Sequence, residues 1–416
     1  MTDLPPQRIR RFEELGFGLF LHWGLYSQLE RGEWTWQHHG ADRERYIALA
    51  RTFTAERFDA RAWVALAREA GMTYACLTTR HHEGFSLYDT RGLNDFDAPH
   101  APVGRDLVAE FSAACDQAGI AKFFYHTTLD WWHPDFDSAD GWHRYLAYLQ
   151  SSVEILCRHY GRVDGFWFDG NWARPERDWR EGELYGVIRR LQPDAIIVNN
   201  SSTGALGREG GHPEIDVATW EQGRPTRRAT ERGGKRLAIE MCDTVTSHWG
   251  VSASDLSAKS PAQIIDALAG CRRHGANLLL NVGPDGQGGV PDYEAAALRL
   301  VGRWTRPLEQ VLRYAIPTDL ACRGDDFVLA HDGSWFYFCA NVSIQHNLHL
   351  RRGEPGDGLR TIAGSLPRIG RVRWLDEPDT DLDFIQDTLT GMLAFAATPQ
   401  PYGRQLVWRV ARLDGG

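Results

Sequence analysis

Several patterns that would settle the chemistry of a chain this long are missing. The seven cysteines among the 416 residues (Cys76, Cys115, Cys157, Cys242, Cys271, Cys322 and Cys339) are odd in number, scattered, and form no Cys-x-x-Cys. That spacing argues against a disulfide framework and a zinc knuckle, and leaves reduced, mostly core thiols. No GxGxxG follows the first apolar segment and no GxxxxGK[ST] occurs, so neither a dinucleotide nor a phosphate loop is indicated. HExxH is absent as well. No run of about 18 apolar residues is present, and Met1-Thr2-Asp3-Leu4-Pro5-Pro6 lacks an apolar stretch behind a basic start. The expectation is a cytoplasmic protein with no membrane partner. Long basic runs are lacking too: 46 Lys and Arg face 55 Asp and Glu, a formal charge of -9. Nucleic acid is therefore disfavoured as a partner, and a neutral or small ligand is expected.

What is present is a recurring unit. Short apolar segments end abruptly in polar residues, and most are followed by a stretch with helical spacing. The segments are Phe17 to Gly24, Thr73 to Thr79, Ile120 to His126, Val163 to Asp169, Ala195 to Asn200, Asp216 to Glu221, Arg236 to Met241 and Asn277 to Val282. Helices are predicted at about 59–70, 106–118, 141–160, 180–191, 261–274 and 292–312, several with Pro near the start or Gly just past the end. Ser201 to Gly211, with four glycines and no apolar period, reads as a loop where a helix is due. Eight such segments predict a closed parallel (β/α)8-like barrel over residues 1–313. From residue 314 the texture changes to alternation and turns, at 327–330, 335–338, 346–350, 393–396 and 405–410. This predicts a C-terminal antiparallel β-sandwich over 314–416.

A barrel gathers its chemistry at the carboxyl ends of its strands, where His22, Glu33, His81, His82, His126, Asp169, Asn199, Glu221 and Glu240 would lie. Asp169, closing Gly165-Phe166-Trp167-Phe168-Asp169, is the first candidate for a reacting group. Taken alone, an Asp before Gly is more often a turn or helix cap; here the same layout recurs along the chain. Two carboxylates facing one pocket amid Trp and His are what glycoside hydrolysis needs, one as nucleophile or base and the other as proton donor. Sixteen tryptophans are unusually many. Trp23, Trp131, Trp167, Trp172, Trp220 and Trp249 fall at strand ends, where they suit the apolar faces of a sugar, although core packing claims about half of them. His81-His82-Glu83 could form a metal cluster, but adjacent histidines on a strand point to opposite sides, so no metal and no cofactor are expected. Asn277 to Pro284 reads as a structural bridge between barrel and sandwich.

These residues carry a resemblance. Phe17-Gly18-Leu19-Phe20-Leu21-His22-Trp23-Gly24, Gly32-Glu33-Trp34, Thr79-Arg80-His81-His82-Glu83-Gly84-Phe85, Leu129-Asp130-Trp131, Trp167-Phe168-Asp169-Gly170, Glu240-Met241-Cys242 with His248-Trp249-Gly250, and Leu278-Leu279-Leu280-Asn281-Val282-Gly283-Pro284 are similar, in order, to signatures of the retaining α-L-fucosidases of glycoside hydrolase family twenty-nine. The resemblance implies a barrel with some helices missing plus a β-sandwich, and release of terminal α-L-fucosyl groups from oligosaccharides or glycoconjugates. It places the nucleophile on Asp169 and substrate contacts on His22, Glu33, Trp34, His81, His82 and Trp167, with His126 where many members have Tyr or His; Trp220, at a strand end beside Glu221, is a further expected contact. Glu221 and Glu240 both qualify as acid/base, Glu221 preferred. Ile239 replaces a usual Trp, and Asn199-Asn200-Ser201-Ser202 replaces a common Asn-Asp-Arg, which leaves an Arg contact absent or supplied from elsewhere. The alternatives are a retaining glycosidase of this barrel class acting on another sugar, or a non-catalytic fucose-binding protein. Homo-oligomerisation stays open.

Overall fold

The computed structural model describes residues 6–38, 40, 42–200, 211–226, 230–232, 235–340, 358–397 and 407–416. Eight parallel strands form the barrel: β1 (Phe17–Leu21), β2 (Tyr74–Arg80), β3 (Ala121–Thr127), β4 (Gly165–Asp169), β5 (Ile196–Asn199), β6 (Val217–Glu221), β7 (Lys235–Thr244) and β8 (Asn277–Val282). Hydrogen-bonded neighbours run β5-β4-β3-β2-β1-β8-β7-β6. Between β5 and β6 closure is thinner. Asp216 donates its N–H to the Ile197 carbonyl at 2.8 Å and accepts the Ile197 N–H on its carboxylate at 3.1 Å. That carboxylate, shielded from water, meets Arg8, Arg189 and Lys235 at 3.0, 2.8 and 2.9 Å, so a charge cluster centred on one buried acid stitches the seam where the ladder is interrupted.

Nearly every strand residue is buried, because one face fills the barrel and the other packs under helices. The inward set includes Phe20, Tyr74, Cys76, Phe123, Tyr125, Trp167, Val198, Val217, Cys242 and Leu279. Glycines at two strand positions make room for rings: a Cβ on Gly18 would stand 2.4 Å from the Tyr74 ring, and one on Gly165 2.1 Å from the Phe123 ring. Helix α1 (Gln7–Glu13) closes the barrel floor with Ile9 and Phe12.

The covering helices are α2 (Ala60–Glu69), α3 (Leu107–Ala118), α4 (Trp142–His159), α5 (Glu181–Leu191), α6 (Pro261–Arg273) and α7 (Asp292–Thr305). Their starts were legible because Asp59 and Asp106 accept backbone N–H groups of the first turn, and Ser260 forms a capping box with Gln263 ahead of Pro261. No helix follows β5 or β6 among the described residues; the loop expected at Ser201 to Gly211 lies outside them, apart from Gly211. The long last helix expected at 292–312 is broken at Arg306–Leu308 by a 3-10 turn containing Pro307 and resumes as α8 (Glu309–Tyr314).

Beyond α8, two antiparallel sheets pack face to face. One joins β9 (Ile316–Pro317), β11 (Phe327–His331), β12 (Ser334–Ala340), β17 (Trp408–Gly415) and β14 (Ile369–Trp374); the other joins β10 (Ala321–Cys322), β13 (Leu359–Ala363), β16 (Leu393–Ala396) and β15 (Phe384–Gln386). The strand expected at 346–350 lies outside the described residues. Trp408 ties sandwich to barrel: its indole N–H donates to Asp266 at 2.9 Å and its carbonyl accepts from Trp304 at 2.7 Å. All seven thiols are unpaired, six buried and Cys322 half-buried. No helix among the described residues is long and apolar enough to cross a membrane.

Candidate active site

At the carboxyl end of the barrel lies a cavity of about 300 Å³. β4 brings Asp169 to its wall. The next residue, Gly170, has φ 116°, and a Cβ there would stand 2.5 Å from the Leu129 backbone nitrogen, so only glycine allows the turn. That turn folds Trp172 back over the acid it follows. The Trp172 indole donates to Asp169 Oδ1 at 2.8 Å, Tyr125 donates its hydroxyl to Oδ2 at 3.0 Å, and His82 Nε2 stands 3.5 Å from Oδ2. Burial by itself would raise the Asp169 carboxyl; His82, Trp172 and Tyr125 outweigh it and hold the group below the ordinary aspartate value.

Glu221, the last residue of β6, faces the same cavity and accepts from Asn200 Nδ2 at 2.8 Å. Its carboxyl is pushed up by burial; the Asn200 bond opposes this, and the charge of Asp169 adds to it. The second glutamate sits elsewhere. Glu240 pairs with Asn277 at the start of β8, whereas Glu221 pairs with Cys242 farther along β7. Glu240 is therefore deep in the barrel, where its two oxygens accept from Tyr74 at 2.7 Å and from the Trp167 indole at 2.9 Å. It does not line the cavity, and burial raises its carboxyl to about 7.

His22, Trp34, His81, His82 and Trp167 all line the cavity. Asn281 gives its amide N–H to the Trp249 carbonyl at 2.6 Å, which turns its Oδ1 toward His22 Nδ1, also at 2.6 Å. His22 thus carries its proton on Nδ1 and offers the Nε2 lone pair, while burial lowers it to about 3 and keeps it neutral. Glu33 stands just behind the wall, its carboxylate accepting the Gly250 N–H at 2.8 Å, which ties the Trp34 turn to the Trp249 loop.

Four expectations are corrected. His126 does not reach the cavity: it bonds Thr79 and Ser152 on the outer side of β3, and the inward neighbour Tyr125 takes its place. Trp220 packs into the core, because the residue before the inward Glu221 on a strand must point outward. The adjacent histidines both face the cavity, their rings 4.2 Å apart, since β2 ends at Arg80 and strand alternation no longer governs them. Asn277 to Pro284 was expected to bridge barrel and sandwich; its Asn277–Val282 part is β8, as the strand pattern predicted, and Asn281 in it orients His22, a part at the site that was not expected. Phe20, Tyr125 and Asn200 complete the lining and were not among the sequence candidates, while Trp172 and Trp249, two of the tryptophans expected at strand ends, line it as well. Period-two alternation would have found Tyr125 once Phe123 was placed inside. No three His, Cys, Asp or Glu side chains among the described residues are grouped to hold a metal ion.

A barrel whose rim unites two carboxyl groups, three histidines and several indoles matches the profile of the α-L-fucosidases over residues 6–308. The chain belongs to the α-L-fucosidase family. It is a glycoside hydrolase of that family, and the relatives agree in sequence and shape. Tissue α-L-fucosidase of Rattus norvegicus is 29% identical over 323 residues, covering 71% of this chain and 67% of the rat protein. The structure of α-L-fucosidase isoenzyme 1 from Paenibacillus thiaminolyticus is 30% identical and superposes with a TM-score of 0.83 over 98% of each chain. An α-L-fucosidase from Bacteroides thetaiotaomicron, 20% identical, shares the fold with a TM-score of 0.84 over all of this chain and 96% of its own.

Proposed function

We propose that this α-L-fucosidase removes terminal α-L-fucosyl groups from oligosaccharides or glycoconjugates with retention, by double displacement in the barrel of residues 1–313, the sandwich of 314–416 being accessory. Asp169, ionised, attacks the anomeric carbon as the bond to the leaving oxygen breaks and Glu221 delivers its proton to that oxygen. Glu221 then takes a proton from water, whose oxygen displaces Asp169 from the anomeric carbon, and both groups return to their starting states. The supporting observation is that one small cavity presents two carboxyls displaced in opposite directions, Asp169 down and Glu221 up. The floor of Tyr74, Trp167 and Glu240 closes the cavity from below, which suits one terminal sugar ring. His22, Glu33, Trp34, His81, His82, Tyr125, Trp167 and Trp249 surround or back that ring. Asp169→Ala, assayed on an aryl α-L-fucoside, is expected to lose several orders of magnitude in kcat, with azide restoring part through a fucosyl azide product. Near-full activity without azide would overturn the assignment.

A further inference from the structure

Glu83 belongs to the His81-His82-Glu83 motif, yet the mechanism above leaves it without a part. Its side chain is fully buried. Both carboxyl oxygens, His81 Nδ1 and the hydroxyls of Tyr26 and Tyr46 are enclosed and have no hydrogen-bond partner among the described residues. They share one compartment behind the cavity wall: Glu83 Oε2 is 3.5 Å from His81 Nδ1, the Tyr26 ring centroid is 5.4 Å from that of His81, and Glu83 lies close enough to both tyrosines that a charge on it would raise their hydroxyls. A Cβ on Gly24 would lie 2.4 Å from Glu83 Oε1, so that glycine leaves the space the carboxyl occupies. Orphaned buried polar groups on this scale mark a function or an enclosed water.

The charge balance decides which partner carries the proton. Arg80, equally buried, has Asp130 beside it with Nε to Oδ2 at 3.9 Å. Asp130 already balances the Arg80 charge, so an ionised Glu83 would be an anion without its own counter-ion and shut off from bulk solvent, the costliest state available to it. Burial accordingly lifts its carboxyl to about 8; the nearby backbone N–H groups of Glu83 and Leu25, which do not reach hydrogen-bond geometry, and the charge of Arg80 offset only part of this. His81 is held neutral by burial.

We propose that Glu83 is a positioning residue for the hydrolysis: protonated, it donates to His81 Nδ1, directly or through one enclosed water, and so fixes the proton of His81 on Nε2, where it faces the sugar as a hydrogen-bond donor. This rests on the reading of the cavity as a fucosyl site. His22 and His81 then play complementary parts, one accepting from a sugar hydroxyl through Nε2 and the other donating to a sugar oxygen. Glutamine keeps a donor at position 83 and leucine removes it, which gives the test a conservative rescue.

The test is imidazole 15N chemical shift in histidine-labelled enzyme, with the His81 signal assigned by its loss in His81→Gln, alongside steady-state kinetics on an aryl α-L-fucoside. The Nε2–H form is expected in wild type and in Glu83→Gln, with kcat/KM of that variant near wild type. Glu83→Leu is expected to give a mixed tautomer and to lose kcat/KM by about 10- to 100-fold, mostly through KM, the scale on which the outer partner of a functional histidine acts. An Nδ1–H ring in wild type or in Glu83→Gln overturns the inference even if Glu83→Leu does not fold, and so does an unchanged tautomer in Glu83→Leu. Wild-type enzyme inactive on fucosides would instead overturn the reading of the site, whatever the tautomer.

Discussion

Trp172→Phe isolates what one indole N–H does for the proposed nucleophile. The change keeps an aromatic ring against Trp34, whose ring centroid lies 5.8 Å away, and deletes the 2.8 Å bond to Asp169 Oδ1. A hydrogen bond to a charged group contributes about 1.5 to 3 kcal/mol. The Asp169 side chain keeps 14% of its exposure, so water replaces part of the lost bond and the lower end applies, about one pKa unit. The direction follows from the starting point. Asp169 is held below its ordinary value, so it is ionised through the neutral range and protonates only as pH falls. Weakening that hold moves its protonation to higher pH, and the acid limb of kcat/KM on an aryl α-L-fucoside should move up with it by about one unit. Tyr125 and His82 remain, so the limb moves and activity survives at its optimum. An acid limb in the same place as wild type would refute the view that Trp172 holds the ionised form.

Asn200→Leu should act on the other arm of the profile. It removes the amide that lowers Glu221, raises the pKa of the proposed general acid, and is expected to carry the alkaline limb of kcat/KM upward by about one unit at most. Glu240→Gln separates the two glutamates: its amide oxygen can accept from Trp167 while its NH2 donates to Tyr74, so activity should stay close to wild type. Glu221→Gln, by contrast, should lose about 10²- to 10⁴-fold on substrates with poor leaving groups. Glu240→Gln also has a stability signature read by thermal unfolding. A carboxyl raised to about 7 in the fold favours the folded state below its unfolded value near 4.5 and loses that advantage as pH rises to 7. The glutamine variant should therefore gain on wild type at pH 8 and not at pH 4, and a pH-independent difference would contradict the buried-acid account. His126→Leu should cost about 1 to 3 kcal/mol by stripping Thr79 and Ser152 of a partner, with KM unaltered; a raised KM would put His126 back among the substrate contacts.

The strands were legible because each carries apolar residues on both faces and stops where polarity begins, and the barrel follows from their alternation with capped helices. The acids were legible as types: Asp169 before a glycine, and Glu221 and Glu240 each near the end of a short segment, the second of which runs on to Thr244 in the structure. Depth was not. Nothing local separates Glu221 from Glu240, since the difference lies in how far each strand has risen when its glutamate appears, and register against neighbouring strands sets that. The same gap explains His126. Phe124, Tyr125 and His126 are all buried, so composition does not reveal which parity faces the cavity, and only the pairing of Tyr125 with Trp167 does.

By itself the sequence determined the repeating unit, the family it resembles and the inventory of acids, histidines and indoles available for chemistry, because strand periodicity, caps and turn glycines are local and read residue by residue. Only the tertiary structure decided which members of that inventory meet. It placed Tyr125 and Trp172 on the carboxylate of Asp169, gave Asn200 to Glu221, sank Glu240 beneath the cavity and turned Asn281 toward His22. Those meetings depend on barrel closure and strand register, which join residues up to 259 positions apart and leave no mark on either neighbourhood of the chain.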